Sequence, residues 1–332
     1  MIVPTADLLS LFILFWVKSS IVVGVGFMIL LARRIFRVST RAIWMTVFAS
    51  VAALPFLNVL LPVWEIPLLS ASHRLLQQNI SLISVSISFI ELVAILWVTG
   101  AALLIASLIV DHVRARRLID HAEPVHSERI AALLTRACAA VGCTTWPRVL
   151  LTERLSTPAL VGPRSPVLIL PKESSEWDDE EIFAVICHEL FHLMKRDLVT
   201  NILERIVAAL VWVNPVVHVA RRYSAFAREI AADQAVLRAG VRPELLARRM
   251  IDIARRGRAE RAPAVALTFA SFEGTRFETR IKALFSSDRP FTQSRLSSLL
   301  LAGSFALMVV SVGLAQIIIC VPEPTTLISS RC

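Results

Sequence analysis

The chain has 332 residues, a net charge of +9 and a mean hydropathy of +0.67, and 56% of its residues are hydrophobic. That apolar share exceeds the level of an ordinary soluble domain and excludes a disordered or low-complexity chain. The positive charge sits largely beside apolar runs and comes with no DNA-binding motif, so direct nucleic-acid binding is not expected.

Four runs are long and apolar enough to cross a bilayer, which takes about 20 residues: 8–31, 42–63, 92–110 and 296–321. The first is too long for a signal-peptide core and no A-x-A-like site follows it, so it reads as a retained anchor. The connection after it carries Arg33, Arg34, Arg37 and Arg41, whereas residues 64–90 carry only Arg74. Basic residues return at Arg114, Arg116 and Arg117, and again at Arg289 and Arg295. By the positive-inside rule both termini are expected outside and residues 111–294 in the cytoplasm. Three parts follow: 1–110 with three membrane helices, 111–294 as a cytoplasmic domain, and 295–332 as a fourth helix with a short external tail. Lys18 and Glu91 fall deep in the first and third runs, where they either pair or sit singly, with Lys18 snorkelling and Glu91 at an interface. Small residues such as Ala302, Ala306 and Gly313 leave helix packing and a homodimer open.

Within 111–294 the pattern is helical over 127–140, extended near 149–152 and 167–170, then helical to about 237. The fold class is therefore an integral membrane α-helical protein, with four transmembrane helices and a mainly helical cytoplasmic domain holding a small β-sheet. Val167, Leu168, Ile169 and Leu170 lie between Pro166 and Pro171. They form either an edge strand able to bind an extended substrate or a short core strand. Between Arg205 and Arg221 runs a stretch without formal charge, broken at Asn214-Pro215. It is too short to span and reads as a buried helix or a segment dipping into the bilayer. Residues 255–264, rich in charge and Pro/Gly, read as a surface loop. Cys138, Cys143 and Cys187 are expected reduced, while Cys320 and Cys332 fall outside, where pairing is open.

The chemistry is concentrated at His188-Glu189-Leu190-Phe191-His192. Two histidines at i and i+4 share one helix face, so a single zinc ion can take both. Glu189 then stands where it can act as general base on an attacking water. A catalytic zinc takes a third protein ligand and keeps one position open. Glu229 and Asp233 occupy i and i+4 of a later helical stretch, Glu229 as candidate ligand and Asp233 as candidate acceptor from the far nitrogen of a ligating histidine. The bland alternative is an exposed helix face with Arg228 as partner, and His218 is a rival ligand. Tyr223, the single tyrosine, is a candidate oxyanion donor, although six residues before Glu229 it can also point elsewhere.

HELFHLMKRD, then WVNPVVH, then REIAADQAVL, preceded by STPALVGPRSPVLILP, resembles the BlaR/MecR-type family of membrane zinc metallopeptidases, from the first apolar run to the fourth. The resemblance implies one zinc per chain on His188, His192 and Glu229, with Glu189 catalytic and Asp233 the acid of an ExxxD pattern. It implies a multi-pass protein of a bacterial-type inner membrane, cleaving a protein substrate such as a cytoplasmic repressor, and also itself. Asp197 matches a recurrent acidic position; five residues beyond His192, it is expected to face away from the metal and to be structural. The family's β-lactam sensors carry an external penicillin-binding domain. About eleven residues follow Val321 in this sequence and hold no S-x-x-K site, so covalent antibiotic sensing by this chain alone is not expected, and a signal would come through the external loop, the spans, an external or membrane sensor partner or the lipid. Two other functions stay open: a quality-control membrane metalloprotease, and a signalling scaffold with a structural zinc.

Overall fold

The computed structural model describes residues 5–31, 39–60, 64–65, 87–257, 274–286, 303 and 315–316. In chain order the elements are α1 (Thr5–Leu31), α2 (Thr40–Leu60), β1 (Trp64–Glu65), α3 (Ile87–Asp120), β2 (Glu123–Pro124), α4 (Glu128–Val141), β3 (Arg148–Thr152), β4 (Ala159–Val161) and β5 (Val167–Pro171). After a 3-10 turn at Lys172–Glu176 come α5 (Asp179–Met194), α6 (Asp197–Leu210), α7 (Pro215–Arg238), α8 (Pro243–Gly257), α9 (Gly274–Phe285) and β6 (Ala315–Gln316).

Among the described residues one helix, Leu92–Asp120 within α3, is long and apolar enough to cross a membrane, and Phe15–Leu31 and Thr40–Phe56 are shorter apolar helices. Only 6% of the apolar window in α3 is buried, with Leu92, Ile95, Leu96, Leu103 and Ile109 all outward. A helix this apolar and this uncovered is built for lipid rather than for a soluble core. It runs unbroken past residue 110.

The hairpin α6–α7 packs into these apolar helices. Val22 and Val23 of α1, Trp44, Val47 and Val51 of α2, Val207 and Ala208 of α6, and Val217 and Ala220 of α7 share one core. Polar contacts pin its tip. Trp97 donates to the Leu210 carbonyl and Trp212 donates to the Trp97 carbonyl, each at 3.1 Å. Gly100 makes room for that indole, because a Cβ there would stand 2.5 Å from the Trp212 ring. Asn214 caps α7 by accepting from the Val216 amide at 3.1 Å, and its amide group donates to Ser19 and Ser20 at 3.0 Å. Pro215 follows at the first helical position, where its missing N–H costs nothing. The stretch expected either to be buried or to dip into the bilayer thus inserts between apolar helices.

The sheet has the order β2-β3-β5-β4, with β3 and β5 parallel and the outer pairs antiparallel. Leu168 and Leu170 of β5 face α4 and α5, while Val167 and Ile169 face the end of α3. Both faces are covered, which is why this strand is a continuous apolar run. The edge-strand reading of Val167, Leu168, Ile169 and Leu170 is therefore corrected. They are fully buried between β3 and β4, with no free ladder edge for a substrate. Proline brackets are tolerated because Pro166 still accepts from the Arg148 amide through its carbonyl and Pro171 closes the strand.

Within the run 296–321, Ala315 and Gln316 pair in parallel with Trp64 and Glu65. The rest of that run apart from residue 303, the loop expected at 255–264 from residue 258 on, the side chain of Glu91, and Cys320 and Cys332 lie outside the described residues.

Candidate metal centre

Helix α5 is set by a capping box: Asp178 accepts from the Glu181 amide at 2.7 Å and Glu181 accepts from the Asp178 amide at 3.3 Å. From there every residue from Ile182 to His192 is buried, so the metal-motif face and the opposite face are both enclosed. Cys187 packs into the main core, and burial pushes its thiol up to about 12, which suits packing rather than ligation.

His188, His192 and Glu229 converge. The two Nε2 atoms are 3.0 Å apart, and each lies 3.6 Å from one Glu229 oxygen. These three could hold a metal ion. With metal–ligand bonds of about 2.0–2.1 Å, the edges of a tetrahedral site are about 3.4 Å, so the donor set fits such an ion. The outer nitrogens both face carboxylates, by a hydrogen bond at His192 and by an ion-pair contact at His188, which leaves both Nε2 atoms for the centre. His188 Nδ1 stands 3.3 Å from Asp233 and His192 Nδ1 stands 2.7 Å from Asp197.

The Asp197 contact corrects the expectation that this residue faces away. A continuous helix would have turned it outward, but α5 ends at Met194 and Arg196 takes a left-handed conformation at φ 55°. Asp197 then opens α6 and swings back beneath His192. Its Oδ1 is 2.5 Å from Arg41, a residue at the start of α2.

Arg280 on α9 had no signal in the sequence and is fully buried in the site. It donates twice to Asp233 at 2.7 Å and lies 3.0 Å from Glu229. Burial opposes ionisation of both carboxylates, yet Arg280 and the nearby histidines outweigh it and hold them well below the usual range. Burial likewise opposes a charged His188, but Asp233 and Glu229 prevail and hold it up at about 9.

Glu189 is the exception. It is 1% exposed, and among the described residues neither carboxylate oxygen has a hydrogen-bond partner. Burial pushes it up to about 7, tempered by His188 and His192. A buried carboxyl without partners is costly and marks a working group.

The remaining candidates lie elsewhere. His218 meets the Trp212 carbonyl at 2.8 Å in the apolar hairpin. Tyr223 is corrected as an oxyanion donor. Its ring packs on Phe27 at 5.5 Å and on Trp44 at 6.3 Å, and six residues place it about 120° around α7 from Glu229. Arg228 is buried and pairs with Glu204 at 2.6 Å, so the exposed-face alternative for Glu229 and Asp233 does not describe this helix.

The family model described as BlaR1 peptidase M56 matches residues 11–284. The regulatory protein BlaR1 of Bacillus licheniformis is 23% identical over 144 residues, 43% of this chain. The match spans only 24% of that relative's length. With the family model running from the first apolar helix through Arg280, this chain belongs to the BlaR1 peptidase M56 family.

Proposed function

We propose that the chain is a membrane zinc endopeptidase of regulated proteolysis, with His188, His192 and Glu229 as ligands, Glu189 as general base and Asp233 as orienting acid. The observation that carries this reading is the Glu189 carboxyl, buried without a partner beside a three-donor group. A structural zinc is normally closed by four protein ligands and needs no such neighbour, so the scaffold alternative is disfavoured.

A bound zinc supplies Lewis-acid polarisation of the scissile carbonyl and acidifies the attacking water. Glu189 takes the proton from that water and later delivers it to the leaving amine. Asp233 and Asp197 fix the outer nitrogens of the two histidines and so the direction of the inner lone pairs. Arg280 keeps Glu229 ionised and steady.

Position narrows the substrate. Glu229 lies about 22 Å along α7 from the Asn214 tip at 1.5 Å per residue. Ser19, which meets that tip, lies about 18 Å from the end of α1 on the same rise. The metal centre then stands near the membrane surface, on the cytoplasmic side by the distribution of arginines. Its substrates are membrane-proximal segments: a cytoplasmic regulator such as a repressor, and this chain itself. The name of the BlaR1 relative, a regulatory protein, supports signalling over quality control. The stimulus would arrive through a sensor partner or a second copy.

The test is zinc content and proteolysis of the purified chain, alone and with membrane vesicles, for wild type and Glu189→Gln. One zinc in both, with fragments in wild type alone, is the expected result. Equal fragmentation in both would remove the protease reading.

A further inference from the structure

Both metal-site histidines are backed by a carboxylate, and both carboxylates by an arginine from outside the two metal helices. For His188 the series is Asp233 and Arg280. For His192 it is Asp197 and Arg41. The second series ends on a membrane-type helix. Arg41 is the second residue of α2, and the rest of that helix buries Ile43, Trp44, Val47, Phe48 and Val51 among α1, α6 and α7. One nitrogen, Nη2, makes both of its contacts: 2.5 Å to the Lys195 carbonyl and 2.5 Å to Asp197 Oδ1. Both partners belong to the left-handed turn that brings Asp197 under His192. Arg41 therefore bolts the start of α2 to the segment that aims a metal ligand.

We propose that Arg41 is a positioning residue of the metal centre, through which displacement of α2 within the membrane sets metal affinity and the geometry of His192. The inference rests on the reading of His188, His192 and Glu229 as metal ligands. A shift of α2 by a single helical rise, about 1.5 Å, would stretch a 2.5 Å contact beyond hydrogen-bonding range. Asp197 is fully buried, so nothing from solvent replaces the lost partner. Its carboxylate is then free to turn, and the hydrogen bond that orients His192 weakens. A stimulus that moves the membrane helices reaches the metal by this route without any contact to substrate.

The experiment uses the full chain in detergent with zinc and cobalt(II) as probes. Zinc affinity is read by competition with a chromogenic chelator, and ligand geometry by the cobalt visible spectrum. Removing partners behind a metal ligand weakens binding about 10- to 100-fold. Arg41→Gln is expected to lose about tenfold in affinity and to shift the cobalt bands, and Asp197→Asn to lose at least as much. Arg41→Lys is expected to lose no more than about threefold, since one ammonium can replace the single Nη2. In the double variant the Arg41→Gln effect should shrink sharply, because Asp197 is the group through which Arg41 and its hold on the Lys195 turn reach His192. Wild-type affinity and spectrum in Arg41→Gln would overturn the proposal. So would an undiminished Arg41→Gln effect on the Asp197→Asn background, or a loss in Arg41→Lys as deep as in Arg41→Gln. A wild-type chain that takes up no metal refutes the metal reading itself, a separate outcome.

Discussion

Replacing Glu189 by Gln should stabilise the metal-free protein while abolishing its chemistry. The folded chain holds this carboxyl at about 7 against an ordinary value of 4.5. A carboxyl raised on folding destabilises wherever it is ionised. The penalty is absent at low pH, where both states are protonated, grows from the unfolded value upward, and levels off above about 7. At 1.36 kcal/mol per unit, it comes to about 1 kcal/mol at pH 5.5 and about 3 kcal/mol at pH 8. Gln keeps the shape and carries no charge, so the variant should match wild type at pH 4.5 and gain up to about 3 kcal/mol at pH 8. The assay is denaturant or thermal unfolding in detergent with a chelator present, followed by tryptophan fluorescence across that pH range. Parallel pH profiles for wild type and variant would show that Glu189 is solvated or partnered in the folded chain, and the argument for a poised base would fall with them.

Arg280→Ala should strip two buried carboxylates of their counter-charge and cost about 3–5 kcal/mol, read as a fall in unfolding temperature, with Arg280→Lys recovering part. Metal uptake should release about one proton at pH 7 to 8, because His188 is held protonated up to about 9 without the ion. Affinity should accordingly fall about tenfold per pH unit from 9 down to about 7 and more steeply below, where Glu189 must also lose its proton, and calorimetry in buffers of different ionisation enthalpy measures both. Gly100→Ala should push the Trp212 indole off α3 at a cost of about 1–3 kcal/mol, visible as a change in tryptophan emission as well as in stability.

Helical periodicity made the centre of the site legible. Spacings of four residues put His188 over His192 and Glu229 beside Asp233 on faces that meet, and the geometry brings all four together. Legibility ended where the contact crossed between elements. Arg280 reaches Asp233 across 47 residues, and Arg41 reaches Lys195 across 154. Nothing local distinguishes either arginine from the other basic residues of the chain. Asp197 was misplaced because the break at Arg196 uses a non-glycine residue in the left-handed region, a choice that costs about 1 kcal/mol and leaves no glycine or proline as a signal. The β5 strand stayed open between edge and core because proline brackets mark strand ends as well as sheet edges, and only burial on both faces separates the two. Hydropathy found α1, α2 and α3, and the charge-free stretch between Arg205 and Arg221 marked the tip of the hairpin α6–α7 as buried or dipping into the bilayer, which is where it packs.

The charges around the centre explain why a base so poorly solvated is tolerable. Without metal, Arg41, Arg280 and protonated His188 face Asp197, Asp233 and Glu229, three positive groups against three negative. Burial is what raises Glu189 to about 7, and in a set already balanced its ionisation adds one uncompensated charge. A divalent ion that displaces the His188 proton leaves the set one positive charge in excess, and an ionised Glu189 cancels it. Below about pH 7 the base is thus largely neutral while the site lacks its ion, and a bound ion would favour its charged form. The stabilisation gained by Glu189→Gln should accordingly belong to the metal-free chain. Repeating the unfolding series with saturating zinc should shrink or reverse it at pH 8, and a gain undiminished by zinc would mean that Glu189 does not sense the ion at all.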